Sequence, residues 1–309
     1  MINGLGGIET TDWSEITNGG LRSGTNRGLL HENTIFELET ILWLERLRAL
    51  NYILPTAYYQ AQVNWLIREL KRNNIWWKFD RLWIFATEQQ KHAPVSIINP
   101  HGINTAWPTN ITEVNSPTWT KLQGYTGNGT VHSGTKWLNT NYSIGTNNIS
   151  YSQNNASFGV YSRTEEIANS TVMGTWQNDI TGQGCYLNPR YPVGSGVFNG
   201  AVNYDGTGSS GYSTNTSSLG LHAVTRANAA HIQTYARGSL IANITQPSES
   251  SMPTLPFLIL ATNGTGVSPD FIATTDRQLS MAFIGGGEID QVMFHYIFQI
   301  FAQRVGFAV

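Results

Sequence analysis

The chain has 309 residues, a formal net charge of -2 and a charged fraction of 12%, about half the level usual in soluble domains. This charge gives no basic field, so no nucleic-acid partner is predicted. The N-terminal residues MINGLGGIETTDW contain neither a basic nor an apolar signal-peptide region, and the most apolar run, Leu255 to Ala261, is too short to span a bilayer. We expect synthesis in the cytoplasm, no signal peptide and no membrane insertion.

Residues 1–33 are rich in Gly and Thr and show little periodicity. Two interpretations stay open, a loosely docked or disordered arm and an arm that orders on a partner. The second rests on residues that are more apolar than a linker needs. These candidate anchoring and assembly residues are Ile8, Trp13, Ile16, Leu29 and Leu30.

Residues 34–92 are predicted to form a helical region of about three helices. Thr34-x-x-Glu37 is a capping box, and apolar residues recur at helical spacing from there to Leu50. A second helix is expected at about 56–73, after Leu54-Pro55. The segment IWWKFDRLWIFA, residues 75–86, is interpreted as a short third helix.

From residue 93 to residue 287, short alternating runs separated by Gly, Asn and Ser turns predict a β-sandwich. Within 156–163, alternation predicts a half-buried strand. The run from Leu255 to Ala261 is apolar throughout, which predicts a central strand covered on both faces. A hairpin is expected to turn at Arg237-Gly238-Ser239. The predicted strands are 94–98, 118–125, 135–142, 156–163, 170–177, 183–188, 196–204, 219–226, 229–237, 239–244, 255–262 and 278–284.

Residues 288–309 are predicted to form a C-terminal helix. Glu288 and Asp290 suit its positive N-terminal end, and Arg304 suits its C-terminal end. Apolar residues surround the helix almost completely. It therefore packs either against the sheet and the N-terminal helices or in a subunit interface.

Several segments in this order resemble the concanavalin A-like, laminin-G-like jelly-roll module of bacteriophage structural and tail proteins. They are KFDRLWIFA, VNSPTWTKLQGYTGNGT, WLNTNYS, NNASFGVYSR, IQTYARGSLIA, LPFLILATNG and RQLSMAFIGGG. The resemblance covers roughly residues 55–309. It implies a mainly β, antiparallel jelly-roll sandwich with helices packed on it, in a tail, tail-fibre or head-fibre protein. Residues 1–54 lie outside it, in the place where virion proteins often carry an anchoring arm.

The sequence contains no recognisable catalytic or metal-binding motif. Sandwich glycosidases need paired carboxylates, commonly Glu-x-Asp-x-x-Glu, but the position three beyond Asp290 in Glu288-Ile-Asp290 is Met293. Glu165 and Glu166 are adjacent, so they are expected in a solvated loop. The seven His show no zinc-ligand spacing. We therefore predict no enzymatic activity, no metal and no cofactor.

His222 and His231 are interpreted as a cross-strand polar pair, with a metal or catalytic role as the alternative. A structural calcium site at Asp205, Asp270 and Asp276 is weighed against ordinary turns.

The first functional hypothesis is a non-enzymatic virion protein, anchored through its arm to capsid or tail proteins, located in the virion and assembled as a homotrimer. The alternative is a module that binds a host-surface glycan. Its candidate binding residues are aromatic, because aromatic faces stack on sugar rings. They are Trp119, Trp137, Tyr142, Tyr186, Tyr191, Tyr204 and Tyr212. A polysaccharide hydrolase is the third hypothesis, and the absence of a carboxylate pair counts against it.

Overall fold

The computed structural model describes residues 35–100, 110–128, 136–144, 147–177, 183–192, 196–204, 212–248, 252–262 and 275–309. These residues form three layers: helices, an eight-stranded sheet and a seven-stranded sheet. The anchoring candidates Ile8, Trp13, Ile16, Leu29 and Leu30 lie outside the described residues.

Three α-helices occur in the described residues: α1 (Leu38–Ala49), α2 (Ala57–Arg72) and α3 (Gln291–Val305). The predicted capping box is wrong, because Glu37 has an extended backbone, is itself the N-cap of α1 and makes no side-chain cap hydrogen bond. Thr34 lies outside the described residues. Helix α3 begins with Asp290, whose side chain accepts a hydrogen bond from Met293 N, and ends at Gly306 in the left-handed region.

The strands pair only in antiparallel fashion within the described residues. In chain order they are β1 (Phe79–Ile84), β2 (Thr112–Val114), β3 (Thr118–Thr120), β4 (Gly124–Thr126), β5 (Trp137–Ser143), β6 (Ala156–Ser162), β7 (Met173–Gln177), β8 (Gln183–Tyr191), β9 (Val197–Tyr204), β10 (Ser213–Thr214), β11 (Gly220–Arg226), β12 (His231–Ala236), β13 (Ser239–Thr245), β14 (Pro256–Ile259) and β15 (Gln278–Gly285).

The eight-stranded sheet has the order β13-β12-β11-β6-β15-β4-β3. Strand β4 pairs with the first residues of β15, and β1 pairs with the rest of the same edge of β15. The seven-stranded sheet has the order β10-β9-β8-β7-β14-β5-β2. Strand β14 lies in the middle of this sheet and is buried from Phe257 to Ile259, which confirms the central strand expected from its apolar sequence. The predicted mainly β sandwich with helices packed on it is likewise confirmed.

Two cores result from this arrangement, because the eight-stranded sheet is covered on both faces. In β6, Phe158 and Val160 face the seven-stranded sheet, while Tyr161 faces the helices. Phe294 and Phe298 of α3 contact this second face, with Phe298 5.3 Å from Tyr161 between ring centroids. The prediction of a half-buried β6 is therefore wrong. Every residue of the strand is buried, because the helical layer covers the side expected to face water.

The predicted third helix is also wrong. Trp76–Lys78 form one turn of 3-10 helix, and the chain then continues as β1, which pairs with β15. The aromatic residues of this segment fit the helical and the strand period about equally well. Pairing with β15 makes the segment a strand. The expected strand at 94–98 is also absent; a single bridge joins Val95 to Asn110. By contrast, the predicted hairpin is confirmed, with Arg237 and Gly238 both at positive φ between β12 and β13.

Candidate functional site

A pocket of about 250 Å³ lies on the outer face of the seven-stranded sheet. In β8, Cys185 and Leu187 point into the core between the sheets, so Tyr186 points the other way, to the face that no helix covers in the described structure. The pocket is lined by Asn169, Thr171, Trp176, Tyr186, Asn188, Tyr191, Asn199 and Thr262. Three aromatic rings and five amide or hydroxyl side chains therefore meet at one place.

Trp176 forms one wall of the pocket, and its position depends on a glycine in the neighbouring strand. Gly184 of β8 pairs with Trp176 of β7, and the indole lies directly over it. A Cβ atom added to Gly184 would be 2.0 Å from Trp176 Cε3. The absence of a side chain at Gly184 therefore lets one face of the indole rest on the sheet while the other face turns outward.

Three pairs of aromatic rings extend this wall. The Trp176 ring lies 5.9 Å from that of Tyr186 and 6.5 Å from that of Tyr204. The ring of Tyr191 lies 6.0 Å from that of Tyr212. Burial raises the pKa of Tyr186, and the neighbouring Tyr204, Tyr212 and Tyr191 raise it further. The Tyr186 hydroxyl is therefore neutral, a hydrogen-bonding group rather than an anion.

A bulge in β9 brings Tyr204 to this side of the sheet. Asn203 has a φ of 50°, and the pairing of β9 with β8 shifts in register at this point. The Asn203 side chain turns inward, where its Oδ1 accepts a hydrogen bond from Tyr151 Oη at 2.9 Å. Because the bulge inserts one residue, Tyr204 points outward beside Trp176.

Asn199 supplies an acceptor with no partner in the described structure. The residue is only 8% exposed, and its Oδ1 is buried without a hydrogen bond. Buried amide oxygens are usually paired, because leaving one unsatisfied costs about 1–3 kcal/mol. Asn199 lines the pocket, so its unpaired acceptor is placed where a bound molecule reaches it.

Asn188, opposite Asn199 in the β8–β9 ladder, is held rigidly instead. Its Nδ2 donates to Ala168 O at 2.8 Å, and its Oδ1 accepts from Arg277 Nη1 at 3.1 Å. Arg277 is fully buried and lies 3.4 Å from Glu166 between Nε and Oε2. The wall behind Asn188 is therefore fixed and its charge is balanced.

The structure separates the seven aromatic candidates. Tyr186 and Tyr191 line the pocket, and Tyr204 and Tyr212 contact the rings that line it. Tyr204 is itself buried, so we now assign it to support the indole rather than to contact a sugar. The sequence-based list omits Trp176 and Asn199. Both alternate along their strands with the inward-facing residues Met173, Thr175 and Phe198, and this alternation is the sequence signal that could have identified them as outward-facing.

The other three candidates do not belong to this pocket. Tyr142 is buried, and its Oη donates to Asp80 Oδ2 at 2.5 Å, so its ring face is closed to any ligand. Trp119 lies on the other sheet, and its Nε1 donates to Phe85 O at 3.0 Å. Trp137 lies on β5, which β14 separates from β7.

The carboxylates considered for hydrolysis are engaged in structural contacts. Asp290 caps α3. Glu165 and Glu166 lie in the loop after β6, and Glu165 is exposed, as expected. Glu165 Oε1 lies 2.5 Å from Arg190 Nη1, and Glu166 pairs with Arg277. Burial raises the pKa of Glu165, but hydrogen bonds from Ser217, Arg190 and Ser218 outweigh this and lower it overall.

His222 and His231 are not a cross-strand pair, because His222 pairs with Ala236 and His231 with Thr245. Of the calcium candidates, Asp205 and Asp270 lie outside the described residues. The described part of the chain contains no group of three or more His, Cys, Asp or Glu arranged as a metal site. None of its helices combines the length and hydropathy that a bilayer-crossing segment needs.

No family model matches this chain. No curated protein matches it either. Among solved structures, it is similar to the botulinum neurotoxin serotype D binding domain, with 10% identity and a TM-score of 0.45, covering 73% of this chain and 51% of that one. The chain thus spans about half the length of the neurotoxin structures that it matches.

A second similar structure is domain 4 of a GH43 extracellular arabinanase from Geobacillus stearothermophilus, in complex with arabinotriose. The identity is 13% and the TM-score 0.35, over 71% of this chain and 98% of that one. A third is the Ruminococcus gnavus IT-sialidase CBM40, with 10% identity and a TM-score of 0.32, over 46% of this chain and 82% of that one. At these identities and scores, none of them carries an argument about what this chain binds.

Proposed function

We propose that this protein is a non-catalytic saccharide-binding module and that the pocket on the seven-stranded sheet holds the sugar. The observation that carries this proposal is the convergence of Trp176, Tyr186 and Tyr191 with amide and hydroxyl groups in one pocket. A pyranose ring has apolar C–H faces and a rim of hydroxyl groups. Aromatic side chains stack on the C–H faces and amide groups hydrogen-bond to the hydroxyl rim, as is usual in small-molecule sites.

The size of the pocket agrees with this assignment. A volume of about 250 Å³ accommodates one sugar residue rather than a long chain, so the pocket is expected to recognise one unit or one end of an oligosaccharide. No covalent step is needed for this role.

The test compares Trp176→Ala with Trp77→Ala by glycan array and then by calorimetry on the best oligosaccharide. Trp77 is 62% exposed and lies beside β1, away from the pocket, so its loss controls for removal of a surface indole. We expect Trp176→Ala to weaken binding at least about tenfold and Trp77→Ala to leave it unchanged. Equal effects of the two changes, or no binding of any glycan by the unaltered protein, would refute the proposal.

The virion role stays a prediction from the sequence resemblance. It includes the anchoring arm, capsid or tail partners, homotrimer formation and the division into residues 1–33, 34–92, 93–287 and 288–309. A saccharide-binding module displayed on a virion combines both hypotheses, since the arm would attach and the pocket would bind a host glycan. Light scattering on the full chain tests the trimer, and a reconstruction of assembled particles tests the location.

A further inference from the structure

None of the described residues that line the pocket carries a charge. These eight residues are neutral in their ordinary states, and the pKa of Tyr186 is raised, which keeps its hydroxyl protonated. The described lining therefore combines aromatic walls with amide and hydroxyl groups and contains no cation. A sugar that carries a carboxylate loses more hydration on entering the pocket than a neutral sugar does, and a cation in the pocket would offset this cost.

Two guanidinium groups lie next to residues that line the pocket, and each is paired with a carboxylate. Arg190, next to Tyr191, pairs with Glu165 at 2.5 Å. Arg277 Nη1 donates to Asn188 Oδ1, and Arg277 Nε lies 3.4 Å from Glu166 Oε2. Because Arg277 is fully buried, it cannot turn outward to meet an anion without breaking both contacts.

Asn199 adds a requirement for a hydrogen-bond donor. Its Oδ1 is buried, has no partner among the described residues, and belongs to a side chain that is 8% exposed and lines the pocket. A sugar hydroxyl can donate to it, whereas a carboxylate oxygen can only accept. A ligand that supplies this donor also removes the penalty of the unpaired buried acceptor.

We infer that the pocket selects an uncharged sugar residue, one hydroxyl of which donates a hydrogen bond to Asn199 Oδ1, and that it discriminates against sialic and uronic acids. This inference rests on the proposed function, since it names the class of saccharide bound at the same pocket. Asn199 is the residue that determines the donor requirement.

The experiment uses the full chain and an array of matched pairs, each a neutral oligosaccharide together with the same oligosaccharide ending in sialic or uronic acid. Calorimetry then measures both members of the best pair at low and moderate salt. We expect the acidic cap to weaken binding at least tenfold at both salt concentrations, because no charge among the described pocket residues offsets the desolvation of the carboxylate. Acidic sugars that bind as tightly as their neutral partners would overturn the inference and leave the proposed function intact. Failure of every glycan would overturn the proposed function itself.

The donor requirement is tested separately with Asn199→Leu, which keeps the size of the side chain and removes the acceptor. We expect about a tenfold loss for the neutral sugar and equal affinity of both proteins for the monodeoxy analogue that lacks the donating hydroxyl. Asn199→Ala serves as the second variant if the leucine form does not fold, since alanine also removes the acceptor, and the same two results are expected of it. Wild-type affinity of the leucine form for every neutral sugar would overturn the role of Asn199.

Discussion

The two outer faces of the sandwich are built from similar strands, but one is covered by helices and the other carries an open pocket. On the eight-stranded sheet, Tyr161, Met281 and Phe283 point outward into a core completed by helices. On the seven-stranded sheet, Trp176 and Tyr186 point outward into a pocket. The first face is sealed by apolar contacts, whereas the second combines aromatic rings with amide groups. Aromatic rings alone therefore do not distinguish the two faces; the polar groups beside the rings do.

The two faces also differ in how much they contribute to the stability of the fold. Burying large apolar side chains stabilises the fold by roughly 1.5–3 kcal/mol each, and the helix-covered face uses its rings in this way. The open face leaves Trp176, Tyr186 and Tyr191 partly exposed and retains an unpaired acceptor at Asn199. The helix-covered face should therefore govern stability, and the open face should govern affinity.

The largest effect is expected from Phe298→Ala on the covered face. Phe298 is fully buried and contacts Tyr161, Phe294 and Phe307. Its removal should lower the free energy of unfolding by about 3–5 kcal/mol, measured by urea denaturation. Val292→Ala on the same helix is the control, because Val292 is 60% exposed, and it should change stability by less than about 0.5 kcal/mol. A small loss for Phe298→Ala would mean that the helices do not seal this face.

The next largest effect concerns His222, which connects the two sheets. Its ring stacks on Phe198 of β9, with 6.0 Å between ring centroids. Burial, opposed by the backbone carbonyls of Gly220 and Ser217 and assisted by Arg277 and Arg237, lowers the pKa of His222 to about 4. The unfolded chain has the higher pKa, so it takes up the proton first as the pH falls. Stability is therefore full above about pH 6.5 and should fall by about 3 kcal/mol towards pH 4.

Urea denaturation at several pH values checks this, with His222→Gln compared against His231→Gln. Both residues lie on the eight-stranded sheet, but only His222 is buried between the sheets. The pH dependence in this window should shrink in the first variant and persist in the second. An unchanged slope in His222→Gln would assign the acid sensitivity to other groups.

A smaller effect is expected from Gly184→Ala, which changes the open face without removing a ring. The added Cβ would lie 2.0 Å from Trp176 Cε3, so the indole must move off the sheet. We expect about a tenfold loss of saccharide affinity by calorimetry, because the stacking surface is displaced. In the double variant with Trp176→Ala the clash disappears, so its stability should match that of Trp176→Ala alone within about 0.5 kcal/mol. Retained affinity in Gly184→Ala would place the sugar elsewhere.

The smallest effect is expected from Tyr212→Ala. Tyr212 is 49% exposed and meets the pocket through its contact with Tyr191, without lining the pocket itself. Affinity should fall only about two- to threefold by calorimetry, equivalent to roughly 0.5 kcal/mol. A loss as large as that of Trp176→Ala would extend the binding surface to Tyr212.

Most strands could be predicted because alternation at period two and Gly or Asn turns are local signals. The predicted ranges 156–163, 219–226 and 278–284 each contain a strand within one or two residues. The segment 75–86 was misassigned because its pairing partner, β15, lies about 200 residues further along the chain. Burial of the second face of β6 also escaped prediction, since it depends on helices from both ends of the sequence.

The sequence predicted which types of residue form the candidate site, but not which individual residues line the pocket. The sequence alone identified Tyr186 and Tyr191 among seven aromatic candidates, because strand aromatics are visible as such. It could not exclude Tyr142, whose burial depends on Asp80, nor include Trp176, whose exposed face depends on Gly184. The unpaired acceptor of Asn199 is likewise visible only once its neighbours are placed.

The sequence by itself determined the antiparallel sandwich, the two helices before it and the helix after it, because hydrophobic periodicity and turn chemistry are encoded residue by residue. Only the tertiary structure decided which face of which sheet stays open. That choice depends on contacts between residues far apart in the chain: the helices seal one sheet, and a glycine and a bulge on β8 and β9 shape the pocket on the other.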